Sequence, residues 1–270
     1  MSRDPSEFPL LWDTTSAPSA FDPADWFAYC EAITGRPRPV LPALGIQTVI
    51  PTHIDLILAR TGAVLDDFTL ADHPFAIFEH AGLPMVIARS AKGSYAAGGL
   101  DEMIALGARH VIFLGGSGTI SQDVQVDDLF VPTRALRDEG VSCHYLPPAR
   151  YAFPSQRLTA ALLAVAAGAR RPVKSGPNWT ITAHFRQAIP RLRAFRAEGC
   201  LVVNNEAAPA FAVGTARGVD VAALLDVGDT LADERFRVPS GHAKLYQAED
   251  AAVQLDLALA ALVQFHRTAG

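Results

Sequence analysis

From residue 47 onward, short apolar runs and helix-period segments alternate along the chain, and this alternation limits the fold more than any other feature. The runs at 48–50, 75–78, 85–88, 110–114, 129–131, 201–203 and 221–225 have the length and apolar content of buried strands. Helical patterns fall at 54–60, 96–106, 155–167, 186–197, 207–217 and 248–265, the last with apolar residues on more than one face. Interleaving of this kind predicts an α/β domain with a mixed central sheet covered on both sides, because a strand that is apolar throughout must bury both of its faces. The stretch 110–145 reads as consecutive strands, which is what makes the sheet mixed.

With 270 residues, half of them hydrophobic, the chain can bury a large core. Residues 1–45 are proline-rich and read as an arm; a short helix is expected at 23–30 with Asp22 as its N-cap. Residues 46–270 read as one domain. The net charge of -5 is spread along the chain with no basic stripe, which argues against nucleic acid as a partner. Cys30, Cys143 and Cys200 are odd in number and lack metal-ligand spacing, so neither a disulfide framework nor a metal site is expected. The N-terminus is acidic and proline-rich where an export signal would be basic and apolar, and the longest apolar stretches fall short of the roughly 20 residues that span a bilayer. A soluble, cytoplasmic protein with no membrane partner is the expectation.

The most specific local signal is Thr133-Arg134-Ala135-Leu136-Arg137-Asp138-Glu139-Gly140-Val141-Ser142-Cys143-His144-Tyr145-Leu146-Pro147-Pro148, in which a strand, a charged turn and a hydroxyl, imidazole and phenol cluster follow one another. It closely resembles a segment of the nucleoside phosphorylase superfamily, in its uridine-phosphorylase-like branch. The resemblance runs from about residue 45 to 265. It implies a three-layer α/β/α sandwich around a mixed central sheet and a nucleoside as the small-molecule partner. It further implies active sites near subunit interfaces in a homodimer or hexamer.

Four further segments carry candidate chemistry. Gly115, Gly116 and Ser117 read as a glycine-rich turn after a strand ending at Leu114, where backbone N-H groups can approach a ligand. The spacing is neither a Walker loop nor a dinucleotide fingerprint. Relatives carry a phosphate-gripping arginine just before this turn, and here that position is Phe113; their other phosphate turn appears as Pro51-Thr52-His53-Ile54-Asp55, without its glycine and arginine. The segment 176–187 resembles the base site, with His184 and Phe185 as stacking groups and Arg186 and Gln187 as hydrogen-bonding groups, while Thr182 stands where relatives carry aspartate. Asn205 and Glu206 fall in the ribose segment. Glu206 is placed at a helix start, where the dipole favours its charge and its two oxygens can accept from vicinal hydroxyls. Asp229 matches the acid that protonates a departing purine, and Asp226 before it is expected to face the same way if the strand continues. His144, read as a strand residue, is a candidate for a ribose hydroxyl.

The resemblance implies cleavage of an N-glycosidic bond through an oxocarbenium-like sugar, with Asp229, Glu206 and Arg186 as the catalytic set. Phosphate is the implied nucleophile and co-substrate, giving a free base and a sugar 1-phosphate; no other cofactor and no metal are implied. The missing arginines keep water, hence a nucleoside hydrolase, as the alternative, together with a non-catalytic nucleoside-binding or specialised sugar-transfer relative. Purine against pyrimidine stays open.

Overall fold

The computed structural model describes residues 15–69, 73–239 and 247–269. Its elements follow the order α1 (Pro23–Thr34), β1 (Leu44–Thr48), α2 (Pro51–Thr61), β2 (Phe75–His80), β3 (Leu83–Arg89), α3 (Ala96–Leu106), β4 (His110–Thr119) and β5 (Leu129–Asp138). Then come α4 (Ser142–Tyr145), β6 (Tyr151–Ala152), α5 (Gln156–Ala166), β7 (Val173–Ile181), α6 (Ile189–Ala197), β8 (Val202–Asn204), α7 (Ala207–Arg217), β9 (Asp220–Thr230) and α8 (Ala248–Ala269). The strands form one mixed sheet in the order β2-β3-β1-β4-β8-β7-β5-β6, and β9 pairs with both β4 and β5. β4, β8, β7, β5 and β9 therefore close a circuit of five pairings, three of them parallel (β4·β9, β5·β7 and β7·β8) and two antiparallel (β4·β8 and β5·β9).

β9 shows why the apolar runs are continuous. Val221, Ala223, Leu225 and Val227 pack with α1, α3 and α7 on one face, and Ala222 and Leu224 pack with α2, α5 and α8 on the other. Each face is covered by helices, so neither parity of the strand can be polar. These are the three layers expected from the sequence. Helix α1 starts where Asp22 accepts from the N-H groups of Ala24 and Asp25, with the Asp25 carboxylate reaching back to the Asp22 N-H, a capping box that fixes its first turn. It lays Phe27 and Cys30, both fully buried, into the core it shares with α3.

Local readings differ from the structure in five places. The first strand is Leu44–Thr48 rather than 48–50, and α2 opens at Pro51, where a missing N-H is harmless. β7, Val173–Ile181, runs through a segment where the sequence pattern marks no strand, and Gly176-Pro177 has turn composition. Pro177 is tolerated there because β5 slips register between Pro132 and Arg134, opposite it. The Gly115, Gly116 and Ser117 segment is not a turn: β4 runs through it to Thr119, paired with β9. His144 sits in the short helix α4 instead of a strand. Asp226 and Asp229 have different surroundings, and β9 carries an extra residue, Gly228, between them opposite the Ser117/Gly118 step. Asp226 points to the α8 side, where Arg171 binds it at 2.7 Å; Asp229 turns onto Gly118.

Among the described residues no helix is long and apolar enough to cross a membrane, and no group of three or more His, Cys, Asp or Glu residues could hold a metal ion. The three cysteines are unpaired.

Candidate active site

The C-terminal end of β8, the loop between β3 and α3, and the segment following β7 meet around one carboxylate. Glu206 is the N-cap of α7 and only 6% exposed. Its Oε1 accepts from the Gly93 N-H at 2.8 Å, and its Oε2 accepts from the Asn205 N-H at 3.1 Å and the Asn204 side-chain amide at 3.2 Å. Burial pushes this carboxyl up from its ordinary range, and the Gly93 and Asn205 N-H groups and the charges of Lys92 and His184 pull it back. A carboxylate offers about four acceptor sites, so three donors leave one free for a ligand hydroxyl.

Around Glu206 the elements are stitched by hydroxyls. Ser94 Oγ lies 2.7 Å from Thr182 Oγ1 and donates to the Asn205 carbonyl at 3.4 Å, tying the β3–α3 loop to both the β7 and β8 ends. The Thr182 hydroxyl thus serves the loop where relatives carry a carboxylate. Beneath, Asn178, Thr180 and Asn204, each at most 3% exposed, form a buried polar layer.

Asp229 is the second carboxyl. It has no hydrogen-bond partner among the described residues, and burial raises it to about 6, against the opposing charge of His184. Its position depends on Gly118: a Cβ there would lie 2.2 Å from Asp229 Oδ1. His184 acts electrostatically on both Glu206 and Asp229, so it lies within reach of both acids. Its ring meets Phe185 edge-on at 4.9 Å, and Phe185 is 94% exposed. Gln187 donates to the His184 carbonyl at 3.0 Å, which stiffens this segment, and the Arg186 side chain is exposed and has no partner among the described residues.

The β4 residues are less free than a turn would be. Ser117 is buried and donates to the Asp226 carbonyl at 3.3 Å, and the Gly115 carbonyl accepts from Gln254 of α8 at 3.0 Å. Phe113 is fully buried, and its ring occupies the space where a Cβ on Gly115 would sit, 2.7 Å away. His53, near the start of α2, is also fully buried; its Nδ1 lies 2.8 Å from Thr48 Oγ1, and burial holds it near 4, hence neutral at pH 7. Neither Phe113 nor His53 therefore offers a cation to a phosphate.

The charged turn that dominates the sequence is consumed internally. Arg137 donates to Ser142 Oγ at 2.8 Å and to the Leu146 and Pro147 carbonyls at 3.0 and 2.8 Å, while Glu139 accepts from the Val141 and Ser142 N-H groups. Asp138 accepts from Trp179 Nε1 at 3.1 Å and from Arg191. Tyr145 donates to Asp101, which also binds Arg217 at the C-terminal end of α7. That anchor seats α4 about 16 Å along α7 from Glu206, so the exposed His144 is not gathered with the carboxyls in one subunit.

Sequence reasoning missed the β3–α3 loop and the asparagine layer. The run Ala91-Lys92-Gly93-Ser94, small residues between a strand and a helix, was the available signal for the loop. The layer had none, because Asn178 and Asn204 lie 26 residues apart and meet only through the β7·β8 register.

The sequence profile of the phosphorylase superfamily matches residues 44–263. Solved structures with the same fold include uridine phosphorylase from Vibrio fischeri ES114, 20% identical with a TM-score of 0.72 over 83% of this chain and 92% of that one. Purine nucleoside phosphorylase from Toxoplasma gondii, in complex with immucillin-H, is 17% identical with a TM-score of 0.70 over 83% and 92%. AMP nucleosidase from Bacteroides thetaiotaomicron VPI-5482 is 20% identical with a TM-score of 0.70 over 90% and 99%. No curated protein sequence matches the chain.

Proposed function

The chain belongs to the phosphorylase superfamily, and we propose that it cleaves the N-glycosidic bond of a nucleoside, with Glu206 holding the sugar and Asp229 protonating the departing base. The observation that carries this reading is the contrast between the two acids. Glu206 is fixed as an acceptor by three N-H donors, whereas Asp229 is unpartnered and raised to about 6, so it can carry a proton near neutral pH. Two carboxyls in different environments divide acceptor and acid roles between them. A base leaving from the sugar takes the bonding electron pair, and a proton from Asp229 neutralises it; the sugar becomes oxocarbenium-like, and Glu206 on its hydroxyls favours that positive charge. His184 and Phe185 offer faces for the base, and Arg186 and Gln187 lie beside them for ring oxygens.

Water is the nucleophile in this reading: it adds to the sugar carbon that the base has left and releases a proton to solvent, giving free base and free sugar. Phe113 and His53 support it, since one is apolar core and the other is neutral. Phosphorolysis, which the family resemblance put first, is the second reading; Lys92, whose charge acts on Glu206, favours it as a cation near the sugar. The structural relatives include both phosphorylases and a nucleosidase. The enzyme is proposed to act as a homodimer or hexamer in the cytoplasm with no cofactor. Release of base from a panel of purine and pyrimidine nucleosides, followed by chromatography with and without phosphate, tests the proposal. Release without phosphate supports the hydrolase, strict phosphate dependence with a sugar 1-phosphate product supports the phosphorylase, and no release from any nucleoside overturns both.

A further inference from the structure

Behind Glu206 lies a directed chain of side-chain amides. Asn178, fully buried on β7, donates through Nδ2 to Asn204 Oδ1 at 2.8 Å, and the Asn204 Nδ2 donates to Glu206 Oε2 at 3.2 Å. The same Asn178 Nδ2 reaches Thr180 Oγ1 at 2.9 Å, which also accepts from the Ala208 N-H in the first turn of α7. Each amide in the chain points its N-H toward the carboxylate, and such serial bonds polarise one another. The arrangement leaves Asn178 Oδ1 fully buried without a partner. An unpaired buried carbonyl destabilises a fold, so its persistence calls for a specific reason. Apolar side chains at 178 and 204 would fill the layer without that penalty, but they would give Glu206 Oε2 no side-chain donor.

Building on the reading of Glu206 as the sugar-binding group, we propose that Asn204, oriented by Asn178, is a positioning residue that aims Glu206 at a ribose 2'-hydroxyl and so selects ribonucleosides over 2'-deoxyribonucleosides. Asn204 occupies the carboxylate's inner side together with the Asn205 N-H, and Gly93 fixes the other oxygen from the β3–α3 loop. The acceptor position left without a donor is then on Oε1, beside Gly93. Without the Asn204 donor the Glu206 side chain can turn inward to Thr180 or Asn178, and that lone pair is lost to the substrate. The other charged groups acting on Glu206, Lys92 from the β3–α3 loop and His184 from beyond β7, are untouched by a change at 204.

The test compares kcat/KM and equilibrium binding for ribonucleosides and their 2'-deoxy counterparts in Asn204→Ala, Asn178→Ser and Glu206→Gln, each checked by thermal melting. The expected result is a fall of at least tenfold in kcat/KM or affinity for the ribonucleoside, with less than a threefold change for the deoxynucleoside, in both asparagine variants. The Asn178→Ser change removes the orienting amide while sparing Asn204, and serves if Asn204→Ala does not fold. Equal losses on both sugars in folded variants, or no loss, overturn the proposal. If Glu206→Gln discriminates between the sugars and the asparagine variants do not, only the positioning role fails. If Glu206→Gln does not discriminate, or wild-type protein neither binds nor cleaves any nucleoside, the reading of Glu206 fails and the proposal with it.

Discussion

Replacing Asp229 with asparagine keeps the side chain's size and removes its titration, which isolates the role of its proton. In the folded protein burial raises this carboxyl from 3.8 to about 6. A raised acid contributes stability that is complete below its unfolded value and is lost as pH rises through its folded value. Between those limits the loss is at most about 3 kcal/mol, and between pH 5 and pH 8 it is about 1.4 kcal/mol, an upper figure because the carboxyl is partly exposed. Asparagine shows no such loss, so Asp229→Asn gains on wild type by up to that amount over the same interval. Urea unfolding at the two pH values measures the gain, and titrating groups that do not act on Asp229, unlike His184, cancel in the difference. The same proton governs activity: wild-type base release is expected to fall about tenfold per pH unit above 6, while the variant is slower by about 10²- to 10⁴-fold below pH 6 and flat above it. Equal pH dependence of stability in the two proteins, or wild-type turnover unchanged from pH 6 to pH 8, would refute the assignment of Asp229 as the acid.

Three further outcomes follow from the same geometry. Gly118→Ala places a methyl 2.2 Å from Asp229 Oδ1 in a strand whose backbone accepts alanine, so base release is expected to drop at least tenfold and its dependence on the Asp229 proton to disappear from the pH profile. Glu206→Gln turns an N-H donor against the Gly93, Asn205 or Asn204 donors, and base release is expected to fall by at least a hundredfold, about 2.7 kcal/mol in the barrier. Arg137→Ala removes the bonds to Ser142, Leu146 and Pro147, and chemical denaturation is expected to show a loss of about 1 to 3 kcal/mol with kcat within threefold of wild type. A large fall in kcat in that folded variant would give the charged turn a catalytic part that the structure does not assign to it.

Much of the architecture was legible because burial leaves a mark on each strand and helix separately. The apolar run 221–225 and the helical patterns of 96–106 and 207–217 coincide with β9, α3 and α7, since local period and composition suffice where both faces of a sheet are covered. β7 was illegible because Gly176-Pro177 spells a turn unless β5 supplies a bulge beside it, and the bulge is a property of the pair. The sequence by itself determined the layered α/β body, the capping of α1 by Asp22, and the presence of Glu206 at a helix start and Asp229 at the end of the last strand. Only the tertiary structure decided what those acids can do. An acid's proton affinity depends on burial and neighbouring donors: Glu206 takes one donor from Gly93, far along the chain and brought in by the β3–α3 loop, and its neighbour Asn204 is oriented by Asn178 across the β7·β8 register, while Asp229 is buried without a donor among the described residues. For the same reason the conspicuous turn at 137–142 became a brace, and the unremarkable loop at 91–94 became a wall of the site.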